Sequence, residues 1–301
     1  SEIDKFPISI TQKNYPNTIQ LGSVTDWQDW NIDWASIDLV VGGFPCQSWS
    51  VAGLGLGDKD KRGMLFWTML DVMKKVLANN PQAKFLMENV RMKKEFEDYI
   101  TFHTEEALGK VNKHLINSAL VSAQNRKRFY WTNIDGIDQP EDQGLVLADI
   151  LMDGHVDRDK SHCLDANYFK GGNPKSYFGK SRRQLVFDRP CELKDFDPKA
   201  ECHHVATATD INGHDSIKRV YADTGKSPTI NTMGGGNRES KVLVSDLIPT
   251  YRKLRPCECE ALQTFPIGYT EGISNSQRYR CLGNSFTVSV VSHILNYAFS
   301  S

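Results

Sequence analysis

The chain has 301 residues, of which 40% are hydrophobic and 24% charged, with a formal net charge of -1. That length allows one large domain or two ordinary ones, and the balance is ordinary for a globular protein with a sizeable core. It excludes fibrous and low-complexity classes, no apolar run reaches membrane-spanning length, and any nucleic-acid surface has to be local rather than carried by bulk charge.

Ser1-Glu2-Ile3-Asp4 reads as the end of a strand turning into a helix, with Phe6, Ile8, Ile10 and Tyr15 as apolar surface and Asn14-Tyr15-Pro16-Asn17 as its stop. A second strand is expected over Thr18 to Val24, then an acidic, Trp-rich connection or short helix over residues 26 to 35. Ile37-Asp38-Leu39-Val40-Val41 is a short apolar run closed by Gly42 and Gly43, which predicts a buried strand feeding a loop. Pro45 fixes its own φ and pushes Phe44 out of the helical region. Cys46 therefore follows stiff backbone at a strand end, where open α/β sheets bind ligands. Taken alone, such a cysteine is more often a small buried apolar residue than a nucleophile. Gly53, Gly55 and Gly57 then suit a lid.

From Arg62 onward, Leu65, Met69, Met73, Val76 and Leu77 recur at helical spacing until Asn79-Asn80-Pro81. Phe85-Leu86-Met87 is a short buried strand that runs into Glu88-Asn89-Val90. Lys93 to Leu108 reads as a helix and Leu115 to Val121 as a strand. Gln124-Asn125-Arg126-Lys127-Arg128 leads into another strand, Phe129-Tyr130-Trp131. The alternation predicts an α/β domain with a mostly parallel sheet. Residues 151–245 are polar and lack a helical period, which predicts a smaller, irregular, partly β lobe between the α/β part, 1–150, and a C-terminal return, 246–301. In this lobe Lys170, Lys175, Lys180, Arg182 and Arg183 are interleaved with aromatics and no acidic residue. That composition suits phosphates and bases, although a solvated loop has it too. Cys257 to Thr264 and Val288 to Phe299 read as helices, with Leu282-Gly283-Asn284-Ser285-Phe286 before the second.

The seven cysteines are scattered without paired spacing, which suits a reducing compartment. Cys257-Glu258-Cys259 and Cys202-His203-His204 lack the spacing of a zinc site and read as structural, so no metal is expected.

Pro45-Cys46-Gln47, Glu88-Asn89-Val90, Gln124-Asn125-Arg126-Lys127-Arg128 and Gly283-Asn284-Ser285 occur in this order at domain-scale spacing. Together they resemble the cytosine-5 DNA methyltransferase family. The resemblance implies a Rossmann-like sheet with helices on both faces and a target-recognition lobe. It implies S-adenosyl-methionine as methyl donor and double-stranded DNA as substrate. By resemblance Cys46 is the nucleophile, Glu88 the carboxyl group that meets the base, and Arg126 and Arg128 orient base and carboxylate. Glu2, Ile3, Ser23, Val24, Pro45, Leu65, Asn284 and Ser285 match cofactor positions, with Ser23 standing where the family usually has Asp. Gln47 and Ser48 open the loop expected to fill the space left by the extruded base. Lys170, Lys175, Lys180, Arg182, Arg183 and Arg238 are expected on DNA. Ser227-Pro228-Thr229-Ile230-Asn231-Thr232 with Gly234-Gly235-Gly236-Asn237-Arg238 resembles the segment that scaffolds the lobe. The family's aromatic, Gly-rich first motif has no counterpart upstream of Glu2 or at the C-terminus. The expectation is a truncated sequence whose 301 residues bind the cofactor poorly. A monomer in the cytoplasm, associated with the nucleoid, completes the reading. The alternative is a catalytically silent DNA-binding or regulatory relative, and a tRNA methyltransferase or a cysteine hydrolase fits less well.

Overall fold

The computed structural model describes residues 1–45, 63–192, 204–222, 241–243 and 249–299. The chain forms two compact units. One comprises Ser1–Leu151, Arg158–Gly171 and Arg255–Ser301; the other comprises Met152–Asp157 and Gly172–Leu254.

The first unit opens with α1 (Lys5–Asn14), whose first turn is capped by the Asp4 carboxylate accepting from Phe6 N–H. Thr18 to Val24, expected as a strand, forms no ladder. Ser23 instead caps a 3-10 helix, Val24–Asp29. A second short 3-10 turn, Trp34–Ser36, follows, and Trp27 and Trp30 pack on Trp34. Then come β1 (Leu39–Gly43), α2 (Leu65–Asn79), β2 (Lys84–Val90), α3 (Lys94–Leu108), β3 (Asn112–Asn117) and β4 (Lys127–Thr132). In the second unit lie α4 (Pro174–Lys180), β5 (Leu185–Phe187), β6 (His204–Thr207), α5 (Asp215–Lys218), β7 (Arg219–Ala222), β8 (Lys241–Leu243) and β9 (Tyr251–Lys253). The chain returns to the first unit as α6 (Pro256–Leu262), α7 (Asn275–Asn284) and α8 (Val288–Phe299).

The main sheet has the order β1-β2-β4-β3. β1 and β2 are parallel, whereas β4 is antiparallel to both its neighbours. The mostly parallel expectation is thus corrected. The link from β3 to β4 holds only a 3-10 turn, Ser118–Leu120, and a short loop, too little for the crossover that parallel strands require. Both faces are covered. Phe66, Met69 and Met73 of α2 pack on Phe85, Met87, Phe129 and Trp131. On the other face Leu86, Ile116 and Tyr130 meet Val290 and Ile294 of α8. This is why Phe85, Leu86 and Met87 read as one continuous apolar run rather than an alternation.

In the second unit β5 pairs with β9, and β6, β7 and β8 form a three-stranded sheet. Its small core gathers Tyr177, Leu185 and Phe187. The Tyr177 hydroxyl donates to Asp157 and accepts from Gln184 Nε2 at 2.7 Å.

Candidate active site

The site starts from a register. Gly43, the last residue of β1, lies opposite Glu88 on β2. A Cβ at Gly43 would approach the Glu88 carbonyl oxygen to 3.1 Å and its Oε2 to 3.5 Å, so the missing side chain leaves room for the carboxylate. Phe44 is buried against Phe66, ring centroids 5.1 Å apart. Its carbonyl accepts from buried Asn89 Nδ2 at 3.1 Å. Asn89 thereby ties the end of β1 to the end of β2, which gives the middle residue of Glu88-Asn89-Val90 a structural task. Pro45 follows. Cys46, Gln47 and Ser48 lie outside the described residues, as does Arg238.

Glu88 faces a guanidinium. Arg128, at the start of β4, pairs in register with Val90, and its Nε lies 2.8 Å from Glu88 Oε1. The two side chains are only 12% and 15% exposed. The charges form an ion pair, yet the buried Oε1 accepts no hydrogen bond among the described residues. Burial works against the charge on Arg128, but Cys163 and Glu88 outweigh it and hold the guanidinium above its ordinary pKa. Tyr130, opposite Glu88 on β4, is pushed above the ordinary tyrosine range by burial and then by Glu88, so it stays neutral.

Arg126 takes another role. It is 3% exposed. Its Nη1 donates to Leu164 O at 3.0 Å, and its Nη2 to Ser285 O at 2.8 Å and Gly283 O at 3.4 Å. Burial first, and then Arg128, lowers its pKa. It clasps the strand to the end of α7, and its backbone N–H donates to Asn117 Oδ1. Gln124 is fully buried and bridges Leu262 O, Gln263 and Leu164 N–H. Alternate residues of Gln124-Asn125-Arg126-Lys127-Arg128 therefore support the segment from behind, while Arg128 presents its charge to Glu88.

The cofactor candidates line three cavities of the first unit, and Asn284 and Ser285 also border one of about 730 Å³ with Phe265, Phe286 and Val288. Glu2, Ile3, Asn284 and Ser285 line one of about 690 Å³. Val24, Pro45 and Leu65, with Trp30, line another of about 320 Å³. Ser23 lines none of them and is occupied as a helix cap. Glu2 accepts from the Ile3 and Asp4 N–H groups through Oε1, leaving Oε2 without a partner among the described residues. Ile3 beside it is 77% exposed. A free carboxylate oxygen, an exposed apolar side chain and the Asn284 amide are a donor and acceptor set that fits a nucleoside with hydroxyls and a flat apolar base. Among the described residues no group of three or more His, Cys, Asp or Glu could hold a metal ion, and no helix is long and apolar enough to cross a membrane.

The basic stretch is divided. Lys170 belongs to the first unit, with Nζ over the Phe169 ring; Lys175, Lys180, Arg182 and Arg183 belong to the second. Lys175, Lys180 and Arg182 are exposed and Arg183 is half-buried. The residue that the sequence reading missed is Cys163, whose sulfur lies 3.5 Å from Arg126 Nη1 and 3.7 Å from Arg128 Nη2. Its polar surroundings assign it to the variable lobe. Only the return of Arg158–Gly171 to the first unit brings it to the arginines.

The fold is that of the methyltransferases. It is similar to a solved Entamoeba histolytica methyltransferase, EhMeth, at a TM-score of 0.60 and 14% identity, covering 99% of this chain and 88% of the other. It is also similar to a Spodoptera frugiperda DNMT2 mutant at 0.56 and 21%, covering 99% and 90%. The sequence is more specific: the model of the C-5 cytosine-specific DNA methylases matches residues 1–299, and the chain belongs to that family. It is 27% identical to the orphan methyltransferase M.SPBetaI of Bacillus phage SPbeta, over 98% of this chain and 90% of the relative. It is 26% identical to the type II methyltransferase M.HhaI of Haemophilus parahaemolyticus, over 98% and 84%.

Proposed function

We propose that this protein methylates carbon 5 of a cytosine extruded from double-stranded DNA, through a covalent adduct at Cys46. The observation that supports this best is Glu88: a nearly buried carboxylate beside a guanidinium, with one acceptor oxygen lacking a hydrogen bond, where the strand leading to Pro45 and Cys46 ends.

Carbon 5 of cytosine is a poor nucleophile. Attack of the Cys46 thiolate on carbon 6 forms a carbon–sulfur bond and moves the ring electrons toward carbon 5. The Glu88 carboxyl group meets ring nitrogen 3 and the exocyclic amine and stabilises the adduct as charge develops on the ring, the amine donating to Oε1. Arg128 holds that carboxyl group in place through the ion pair at its Nε. Glu2, Ile3, Asn284 and Ser285 on one side and Val24, Pro45 and Leu65 on the other would hold S-adenosyl-methionine, which would supply the methyl group to carbon 5 as an electrophile, its sulfur keeping the bonding pair and leaving as a thioether. Loss of the proton from carbon 5 to solvent and cleavage of the carbon–sulfur bond free the product and the Cys46 thiolate. Extruding the base costs roughly a few kcal/mol, a cost offset by binding along the exposed Lys175, Lys180 and Arg182.

A duplex with 5-fluorocytosine at the target position blocks the last step, because the fluorine cannot leave as a proton does. Mass spectrometry of the trapped complex should place the adduct on Cys46, and Cys46→Ala should abolish methyl transfer while DNA binding persists. An adduct on Cys163, or none, would refute the mechanism.

A further inference from the structure

Residues 158–164 are fastened to the turn before β4 through both main chain and side chains. Ser161 N–H donates to Ala123 O at 2.7 Å, Asn125 N–H to Ser161 O at 2.9 Å, and Leu164 N–H to Gln124 Oε1 at 2.9 Å. Lys160 Nζ donates to the carbonyls of Ala119, Ser122 and Leu145 at 2.6, 3.2 and 2.5 Å. An ammonium with three carbonyl partners has all its donors engaged. The backbone on either side of Cys163 is thus fixed relative to Arg126 and Arg128 before its side chain makes any contact.

The Cys163 side chain is exposed, yet its sulfur accepts from Arg126 Nη1 at 3.5 Å and Arg128 Nη2 at 3.7 Å, and its S–H donates to Leu164 O at 3.7 Å. For Arg128 this sulfur is one of three partners among the described residues. Nη1 donates to Lys127 O at 2.9 Å, and Nε faces Glu88. A guanidinium is flat, and partners at three separate nitrogens define its plane. Among the described residues, the plane would without the sulfur be held only by a neighbouring carbonyl and by an ion pair that makes no hydrogen bond.

We propose that Cys163 is a positioning residue: its sulfur fixes the plane of the Arg128 guanidinium so that Nε stays opposite Glu88 Oε1. The consequence for catalysis rests on the methyl-transfer reading above; the effect on Arg128 does not. A serine at this place keeps a donor and an acceptor but reaches less far, and an alanine keeps neither.

The test uses the full chain with ¹⁵N-labelled arginine. The Arg128 Nε–H resonance is assigned by its loss in Arg128→Lys. It should be a single sharp signal in the wild type, broadened or averaged in Cys163→Ala, and regained in Cys163→Ser. In parallel, single-turnover methyl transfer by Cys163→Ala should fall about ten- to a hundredfold, the range of small misplacements near a reacting centre. DNA affinity should stay within about twofold of wild type, and Cys163→Ser should recover most of the rate. An Arg128 signal in Cys163→Ala that matches wild type overturns the proposal, whatever happens to melting temperature. So does a serine variant no better than alanine. A wild type that transfers no methyl group would sink the functional reading alone, and the resonance would still decide the role of Cys163.

Discussion

Arg128→Ala should destabilise the first unit by about 3 kcal/mol. Arg128 Nε and Glu88 Oε1 are 2.8 Å apart, and both side chains are at least 85% covered, at 12% and 15% exposure. At an effective dielectric of about 20 the gross attraction at that distance is roughly 6 kcal/mol, and desolvation of the two charges offsets much of it. Deleting one partner forfeits the attraction but leaves Glu88 stripped of water. Losses for such deletions run at about 3–5 kcal/mol, and the residual exposure here selects the lower end. Removing the second charge relieves that penalty. Glu88→Gln combined with Arg128→Ala should therefore cost less than the two changes summed, by at least about 1 kcal/mol. Thermal unfolding of the four proteins at neutral pH reads both quantities, since 1 kcal/mol moves the midpoint by about 2–4 °C in a unit of this size. The deficit should persist at high salt, because a covered pair is screened weakly. An Arg128→Ala midpoint within about 2 °C of wild type, or strict additivity in the double variant, would refute the picture of a desolvated pair.

Gly283→Ala sets helix propensity against packing: alanine gains about 1 kcal/mol within a helix, but its Cβ would lie 2.3 Å from the Asp165 carbonyl carbon and 2.4 Å from Ala166 N. Backbone cannot yield as a side chain can, so the variant should melt well below wild type, and a higher midpoint would show the clash is relieved without cost. If the exposed cations of the second unit meet phosphates, replacing Lys175, Lys180 and Arg182 by Ala should reduce the slope of log affinity against log salt by up to about 0.9 for each phosphate no longer neutralised; an unchanged slope removes them from the interface. Glu260 is fully buried. Burial pushes its pKa up, but hydrogen bonds from Thr270, Arg278 and Gly268 outweigh this and hold it below the usual 4.5. A depressed carboxylate stabilises above its unfolded value and loses that contribution as pH falls through its folded one. Glu260→Gln should thus cost about 1–3 kcal/mol at pH 7, with the gap to wild type closing below pH 4.5; a gap that stays constant into acid would contradict this.

Much of the first unit was legible because its signals are local. The helix expected over Val288 to Phe299 has those bounds, and that over Lys93 to Leu108 differs by one residue. Strand direction was not legible. Nothing in Phe129-Tyr130-Trp131 says which neighbours it will have, and antiparallel insertion of β4 between β2 and β3 follows only from the shortness of the preceding link. Thr18 to Val24 has the composition of a strand but no ladder partner among the described residues. Without cross-strand pairs, composition does not suffice. There the local option prevails, and the Ser23 hydroxyl caps a 3-10 helix instead.

The candidate site divides in the same way. Glu88 and Arg128 are brought together by strand register, Glu88 opposite Tyr130 and Val90 opposite Arg128. Once both segments are read as neighbouring strands, their encounter is close to obligatory. Arg126 shows what a motif cannot say. Two positions from Arg128 and one before β4 begins, it is spent on the carbonyls of Leu164, Gly283 and Ser285 rather than on Glu88. Those carbonyls come from segments far apart in sequence, and the last two belong to Gly283-Asn284-Ser285. One buried guanidinium therefore couples the strand that carries Arg128 to residues that line the cavity of about 690 Å³ proposed for the cofactor. Spacing reports only that these motifs occur together; the geometry supplies a reason, since loss of either would leave the other's buried polar groups unpaired.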